Sequence, residues 1–99
     1  MVQMDLIGID QYQYLAVTIK LPSLTTRLIY CTKGILFDDC WNLDNVACRC
    51  RVPVCIGKGK SIEALLENEI ALCSLKAMEK GIIPQMKGQQ ALRKMMHEE

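Results

Sequence analysis

Apolar and polar residues alternate through most of the first forty residues, and a period of two is typical of β-strands. The clearest run is QYLAVTIKL, and the runs TRLIYCT and ILF follow it. Pro22 interrupts the pattern because proline has no N–H to donate to a neighbouring strand, and Lys33 and Gly34 predict a tight turn. Together with a weaker strand in MDLIGI, these runs predict a meander of three or four antiparallel strands. The ILF strand, apolar on both faces, should be central.

The two faces of the QYLAVTIKL strand predict different surroundings. We expect its aliphatic face to pack beneath helices, because a continuous apolar surface is best removed from water. The other face would look outward against a partner sheet, since a tyrosine offers an apolar ring with a polar end. The expected core face holds Leu15, Val17, Ile19 and Leu21, and the expected outward face, a candidate oligomer interface, holds Tyr12, Tyr14 and Ala16.

Residues 41–60 combine helical and extended patterns. The run CWNLDNVACRC is compatible with a short helix, for which Asn42 or Asp44 would serve as the N-cap. The run RVPVCI predicts a further strand, with Pro53 near its beginning, where proline is tolerated.

Ser61 predicts the start of a helix, because its hydroxyl can accept a backbone N–H bond and Glu63 follows in the first turn. Two alternatives remain for the residues that come next. One long helix could end at Gly81, or EIALC could form a short strand before a second helix capped by Ser74. A last amphipathic helix is predicted from the apolar positions Ala91, Leu92, Met95 and Met96.

These elements predict one α+β domain, in which an N-terminal antiparallel meander is followed by a strand and short helices. Residues 1–40 would form a sheet region used in oligomerisation, and residues 41–99 a mixed α/β region. The chain has 99 residues, of which 51% are hydrophobic and only 5% aromatic, so its core must be largely aliphatic. Because a small domain has much surface, this apolar content predicts a homo-oligomer.

Charge and hydropathy limit the classes of partner. The chain carries 12 basic and 11 acidic side chains, interspersed rather than clustered, whereas nucleic-acid binders usually present a basic surface to phosphates. No apolar run approaches the roughly 20 residues that a membrane helix needs. The N-terminal MVQMDLIGID lacks a basic region followed by an apolar core, so no signal peptide is predicted. We therefore expect a cytoplasmic protein that binds neither membranes nor nucleic acid.

Six cysteines are many for a cytoplasmic chain, and their spacing bears on metal binding and disulfides. A disulfide framework needs an oxidising compartment, and structural zinc sites favour C-x-x-C pairs. Cys48 and Cys50 are separated by one residue, and the single histidine, His97, lies in the C-terminal tail. We therefore expect no metal and no cofactor, and buried free thiols among the cysteines at positions 31, 40, 48, 50, 55 and 73.

The stretch VPVCIGKGKSIEALL raises the question of a phosphate-binding loop. Gly59, Lys60 and Ser61 match the end of the P-loop pattern, but Val54 occupies the position of its first glycine. The dinucleotide pattern fails as well, because Ile62 stands in place of its third glycine. A weaker expectation remains: a glycine turn before a helix could bind an anion. Its candidate residues are Gly57, Lys58, Gly59, Lys60 and Ser61.

No set of residues in the sequence implies a reaction. Asp38 and Asp39 are adjacent, so on a strand they would face opposite ways rather than form a carboxylate pair. A Cys–His dyad would require the tail residue His97 to fold back. The sequence therefore gives no reason to predict an enzyme.

Three segments of the chain, taken in order, resemble the YunC-like family, a small bacterial and archaeal domain of unknown function. They are TKGILFDDCWNLD, similar to the family's K-G-x-x-x-C-G-x-L-N segment; GKGKSIEALLENEI, similar to G-V-K-T-[IV]-x-x-L-L; and AMEKGIIPQMKGQQALRKM, similar to L-G-I followed by G-M-[ST]-G-x-x-A-L-x-x-M. The resemblance covers residues 32–96, and the first thirty residues share only the strand pattern.

The resemblance implies a tetramer assembled through the N-terminal β-sheet region, and it favours a short strand near residues 70–73. It implies no activity. Asp38 and Asp39 stand where the family pattern has Cys-Gly, and Cys40 lies two residues after Asp38, on the same face of the expected strand. A redox or nucleophilic role for Cys40 is thus an open alternative.

The function predicted from the sequence is that of a homo-oligomeric binding or assembly module. Two alternatives belong to other classes. One is an enzyme whose active site forms between subunits, and the other is a sensor or carrier of an anionic small molecule that uses the Gly57–Ser61 turn.

Overall fold

The computed structural model of the chain describes residues 1–96, in which six strands and four helices follow one another. None of these helices combines the length and the apolar character that crossing a lipid bilayer requires. The strands form one mostly antiparallel sheet, which confirms the predicted α+β class and its N-terminal meander. In chain order the elements are β1 (Val2–Ile9), β2 (Tyr12–Leu21), β3 (Leu24–Cys31), β4 (Gly34–Phe37), α1 (Leu43–Arg49), β5 (Val54–Ile56), α2 (Ile62–Glu67), β6 (Leu72–Cys73), α3 (Leu75–Glu79) and α4 (Gly88–Met96).

The strands lie in the sheet in their sequence order, from β1 at one edge to β6 at the other. All neighbouring pairs are antiparallel except β4 and β5, which run parallel and are joined through α1. A parallel pair needs such a crossover because the chain must return to the same end of the sheet. Val17 lies at the centre of the meander, where it is paired with Met4 on β1 and with Leu28 on β3.

Side-chain caps define where the short helices begin. The Asn42 side chain accepts a hydrogen bond from the N–H of Asn45 at 3.2 Å, and Ser61 and Ser74 accept equivalent bonds at the starts of α2 and α3. Of the two alternatives for residues 61–80, the interrupted one is therefore correct, and its second helix is followed by Gly81 with a φ of 85°. A left-handed residue at this position is the usual end of a helix.

The helices α2 and α4 pack on one face of the sheet and enclose the main core. The first residue of α4 must be a glycine, because a Cβ on Gly88 would collide with the carbonyl oxygen of Leu65 in α2. This close approach brings the apolar side of α4 onto the sheet. The largest buried side chains of this core are Tyr14, Ile29, Leu36, Leu65, Ile70, Ile82, Leu92 and Met95.

The opposite face of the sheet is only partly covered. There α1 packs on β5, and the ring of Trp41 lies against Phe37 with 4.9 Å between the ring centroids. This smaller core contains the buried side chains Phe37, Val46, Val54 and Ile56. It covers β4 and β5 and reaches Leu28 of β3, so the same face of β1, β2 and the rest of β3 lacks a helix of its own.

The predicted orientation of β2 is wrong. Tyr14 and Ala16 are only 1% and 2% exposed, and the Tyr14 hydroxyl donates to the carbonyl oxygen of Leu92 in α4 at 3.2 Å. Tyr12 packs against the same core, so these three residues lie beneath the helices and are no interface. Both faces of β2 carry apolar residues, so the pattern of this strand did not decide between them. The Tyr14 hydroxyl, which hydrogen-bonds a carbonyl of α4, is on the face that is buried. The set from Leu15 to Leu21 faces away from α2 and α4.

Candidate functional site

An apolar surface without helices is the most prominent exposed feature of residues 1–96. We call it the open sheet face. It consists of alternate residues of β1, β2 and β3 that share one side of the sheet, since neighbours in the register face the same way. Its members are Val2, Met4, Leu6, Leu15, Val17, Ile19, Leu21, Leu24, Leu28 and Tyr30.

The side chains of this surface are most exposed on β1, the edge strand. Leu6 is 70% exposed and Met4 is 62% exposed, while the inner residues Leu15, Val17 and Leu28 are partly exposed. Three strands about 4.8 Å apart and about eight residues long span roughly 14 by 26 Å. Soluble monomers rarely expose a contiguous apolar surface of such dimensions.

Charged residues of the meander lie on its other face. Asp5, Lys20 and Arg27 border a hollow beside the start of α2, together with polar neighbours of the same strands. The positions that belong to the open sheet face carry no charged side chain. Such a surface resembles the inner face of a β-sandwich, where two sheets pack about 10 Å apart.

The Gly57–Ser61 turn connects β5 to α2 and is fixed by bonds within the chain. The N–H of Gly57 donates to the carbonyl oxygen of Phe37 at 2.8 Å, and the carbonyl oxygen of Lys58 accepts from the Asn68 side chain at 2.9 Å. The Ser61 hydroxyl accepts the N–H of Ala64, so this oxygen is used as a helix cap.

Two lysines of this turn, Lys58 and Lys60, are exposed. The helix that follows has only six residues, which gives its N-terminus little reach as an anion site. The structure thus explains the glycines and the serine by the path of the chain. Anion binding by the Gly57–Ser61 turn stays a prediction.

Asp38 follows β4 and is buried, although it is an acidic residue. Its carboxylate accepts hydrogen bonds at 2.8 Å from the Thr26 hydroxyl and from the N–H of Arg27, and a third bond from the N–H of Cys40. The indole N–H of Trp41 donates to the same Thr26 hydroxyl at 2.7 Å. Asp38 is therefore a structural acceptor that joins β3 to the turn after β4.

Asp38, Asp39 and Cys40 place one potential metal-ligand atom each within 4.8 Å of one another. Both carboxylate oxygens of Asp38 already accept bonds from the protein, so the cluster is explained by the turn it stabilises. Cys40 lies in this turn and not on a strand, and its thiol donates weakly to the carbonyl of Thr25. Desolvation and the charges of Asp38 and Asp39 raise the pKa of Cys40, which disfavours a reactive thiolate there.

A shallow cleft of about 530 Å³ lies between α1 and α3. Two polar side chains at its border already bind the backbone: Ser74 accepts the N–H of Val54, and Lys76 donates to the carbonyl of Arg51 at 2.8 Å. A third, Asp44, is exposed at the start of α1. The cleft thus offers apolar contact rather than oriented polar groups. Its apolar lining comes from Leu43, Ala47, Val52, Leu75 and Met78.

The cysteines are free thiols, and three of the six, Cys31, Cys55 and Cys73, are buried as expected. Cys40 and Cys48 are exposed instead. His97, the residue required for a Cys–His dyad, lies outside the described residues.

Comparison with known proteins supports the fold but assigns no family and no function. No protein-family model matches the chain, and no curated protein matches it. Among solved structures, the chain is similar to the crystal structure of a protein of unknown function from Thermoplasma acidophilum, with a TM-score of 0.82 and 21% identity. The similarity covers 96% of this chain and 93% of that one. Membership of the YunC-like family stays a prediction.

The sequence contained a signal for the open sheet face that its interpretation missed. Most positions of the three successive strands on this face are apolar and none is charged, whereas the other faces of these strands include Asp5, Lys20 and Arg27. A comparison of the three strands together would have distinguished the two faces, because charged residues occur on only one of them. The pattern of β2 alone does not distinguish its two faces.

Proposed function

We propose that this protein is a homo-oligomeric assembly module whose subunits join through the open sheet face. The observation that carries the proposal is a surface of ten apolar side chains without a charge, on the part of this side of the sheet that α1 leaves uncovered. The register places Gly8, Gln13 and Thr26, which are also uncharged, on the same face. Burial of apolar area is the main driving force of such associations.

A second copy of the same chain suits this surface best. Two apolar sheet faces pack on each other in β-sandwiches, and a two-fold axis lets one surface serve both partners. A pair of dimers gives the tetramer that the resemblance to the YunC-like family implies. The cytoplasm is the compartment that we propose for the assembly.

Assembly can be tested by a charge placed on the open sheet face. Leu6 is 70% exposed in the single chain, so Leu6→Glu should leave the fold of a subunit intact. In the assembly the charge would be buried opposite its symmetry mate. We expect the dissociation constant to rise by about 100-fold or more, which corresponds to about 2.8 kcal/mol.

The matched control is Gln3→Glu, which adds the same charge to the other face of the same strand. Light scattering after size exclusion at micromolar concentration gives the mass of each variant. The unsubstituted chain and the control should be oligomers, and Leu6→Glu should dissociate. A monomeric unsubstituted chain, or an oligomer that tolerates Leu6→Glu, would refute the proposal.

A further inference from the structure

Cys55 and Cys73 face each other across the last two strands of the sheet. They are register partners on the antiparallel strands β5 and β6, and their Sγ atoms are 3.9 Å apart. The N–H of Ser74 donates to the carbonyl of Val54, beside the pair and not within it. The two cysteines therefore occupy a non-hydrogen-bonded position, where facing Cα atoms are about 4.5 Å apart.

This position meets the geometric requirement of a disulfide. Disulfides join cysteines whose Cα atoms are about 4.4–6.8 Å apart, so rotation of the two side chains would suffice without movement of the strands. Two other cysteines bond to the backbone instead: Cys31 donates to the carbonyl oxygen of Gly34, and Cys40 to that of Thr25.

The two thiols are not equivalent. Cys73 is 8% exposed, whereas Cys55 is fully buried behind it. The Cys55 thiol donates to Cys73 Sγ, and this bond lowers the pKa of Cys73. The same bond, followed by burial, raises the pKa of Cys55. A reagent that approaches the sheet edge thus meets first the thiol that ionises more readily.

We propose that Cys55 and Cys73 form a redox-active dithiol that small-molecule disulfides oxidise to an intramolecular disulfide. The Cys73 thiolate attacks one sulfur of the reagent, whose S–S bond breaks as the Cys73–reagent bond forms. One reagent thiolate leaves. Cys55 then gives its proton to this thiolate and attacks Cys73 Sγ, which releases the second reagent thiolate. That thiolate takes up, through solvent, the proton that Cys73 lost when it ionised. The dithiol loses two electrons and two protons, and the reagent becomes two thiols.

Oxidation would cross-link one edge of the sheet. The strand β6 has two residues and forms an edge, and the segment between the two cysteines contains the Gly57–Ser61 turn and α2. A disulfide would close this segment into a ring and hold β6 on β5. Because a cross-link restricts the unfolded chain, the oxidised protein should be the more stable form.

The test uses a chain without the less buried cysteines, carrying Cys40→Ser, Cys48→Ser and Cys50→Ser. After incubation with glutathione disulfide, intact mass should fall by two hydrogens, and peptide mapping should link Cys55 to Cys73. The thermal transition should rise and return to its first value with dithiothreitol. Adding Cys55→Ser should instead trap glutathione on Cys73, since no second thiol can displace it.

The same peptide mapping on the unsubstituted chain, after rapid alkylation of free thiols, covers the case in which a variant fails to fold. There too the Cys55–Cys73 link should accumulate under native conditions. Two results would overturn the proposal. One is absence of the Cys55–Cys73 link in native protein. The other is the reverse order of attack, in which glutathione is trapped on Cys55 when Cys73 is replaced but not on Cys73 when Cys55 is replaced. Neither result depends on whether the subunits assemble through the open sheet face.

Discussion

Tyr14 shows how one polar atom decides which side of a strand becomes the core. Its ring is buried with the aliphatic residues, and its hydroxyl would lose the hydrogen bonds of water without a partner. The carbonyl oxygen of Leu92 provides that partner at 3.2 Å. The bond links β2 to α4 across 78 residues of sequence, so it stabilises the docking of the last helix.

We predict that Tyr14→Phe lowers the free energy of unfolding by about 0.5–1.5 kcal/mol, the usual net value of one buried hydrogen bond. Urea denaturation at one fixed protein concentration would measure it, because oligomers gain stability with concentration. The control is Tyr12→Phe, on the partly buried ring of Tyr12, which lies on the same face of β2 and outside the open sheet face. Equal losses in both variants would show that the Tyr14 hydroxyl contributes nothing of its own.

The same tyrosine predicts a loss of stability at alkaline pH. Burial is the main cause that raises the pKa of Tyr14 to about 12, above its ordinary value of 10.0. Between these values the folded chain holds a proton that the unfolded chain has lost, so the stabilisation is complete below pH 10 and disappears as the pH rises through about 12. Unfolding titrations of Tyr14→Phe should show a shallower decline over this interval; an identical decline would contradict the assignment.

At the scale of elements, local signals in the sequence were sufficient where a residue acts on its immediate neighbours. Asn42, Ser61 and Ser74 each cap a helix through a backbone N–H three residues on, and each was a candidate cap in the sequence. Only Ser61 was predicted without an alternative. Local signals also sufficed for the strand order of the meander, in which each strand pairs with the next.

Features that depend on distant partners were not predictable in this way. The parallel pairing of β4 and β5 depends on α1 crossing the sheet, and the strand pattern of RVPVCI is the same for either direction. The orientation of β2 depends on α4, which begins 67 residues after the end of β2. An apolar face indicates burial, but it does not say whether a helix or another subunit provides the cover.

The close packing of the turn before α2 requires a glycine at position 59. A Cβ on Gly59 would lie 2.6 Å from the Cβ of Ala64 and 2.9 Å from the backbone nitrogen of Leu65, and the φ of Gly59 is 155°. We expect Gly59→Ala to cost about 1–3 kcal/mol, since the backbone of α2 must shift. Gly8→Ala is the control, because nothing lies within 4 Å of its added methyl group. Thermal denaturation that gives the same transition for both variants would argue against this packing.

At the scale of the whole molecule, the helices leave the sheet unequally covered. The helices α2 and α4 enclose one face, and the core beneath α1 covers β4, β5 and Leu28 of β3 on the other. The meander is therefore a one-sided layer, although its second face is as apolar as a core. Domains are stable when both faces of a sheet are either covered or polar, which is the physical reason for the partner layer that we propose.

The nature of the open sheet face predicts how assembly responds to salt and temperature. Its ten residues carry no charge, so screening of charges has nothing to weaken, and the dissociation constant should change by less than about threefold between roughly 0.05 and 0.5 M sodium chloride. Hydrophobic association weakens on cooling, so dissociation should increase from 25 °C towards 5 °C.

Sedimentation velocity across these conditions would measure both responses. If assembly instead used the other face of the meander, Asp5, Lys20 and Arg27 would lie in the contact and salt would promote dissociation. A steep salt dependence with little effect of temperature would therefore assign the interface to that charged face. Weak salt dependence combined with dissociation in the cold is the result that only the apolar face explains, since it alone offers area without charge.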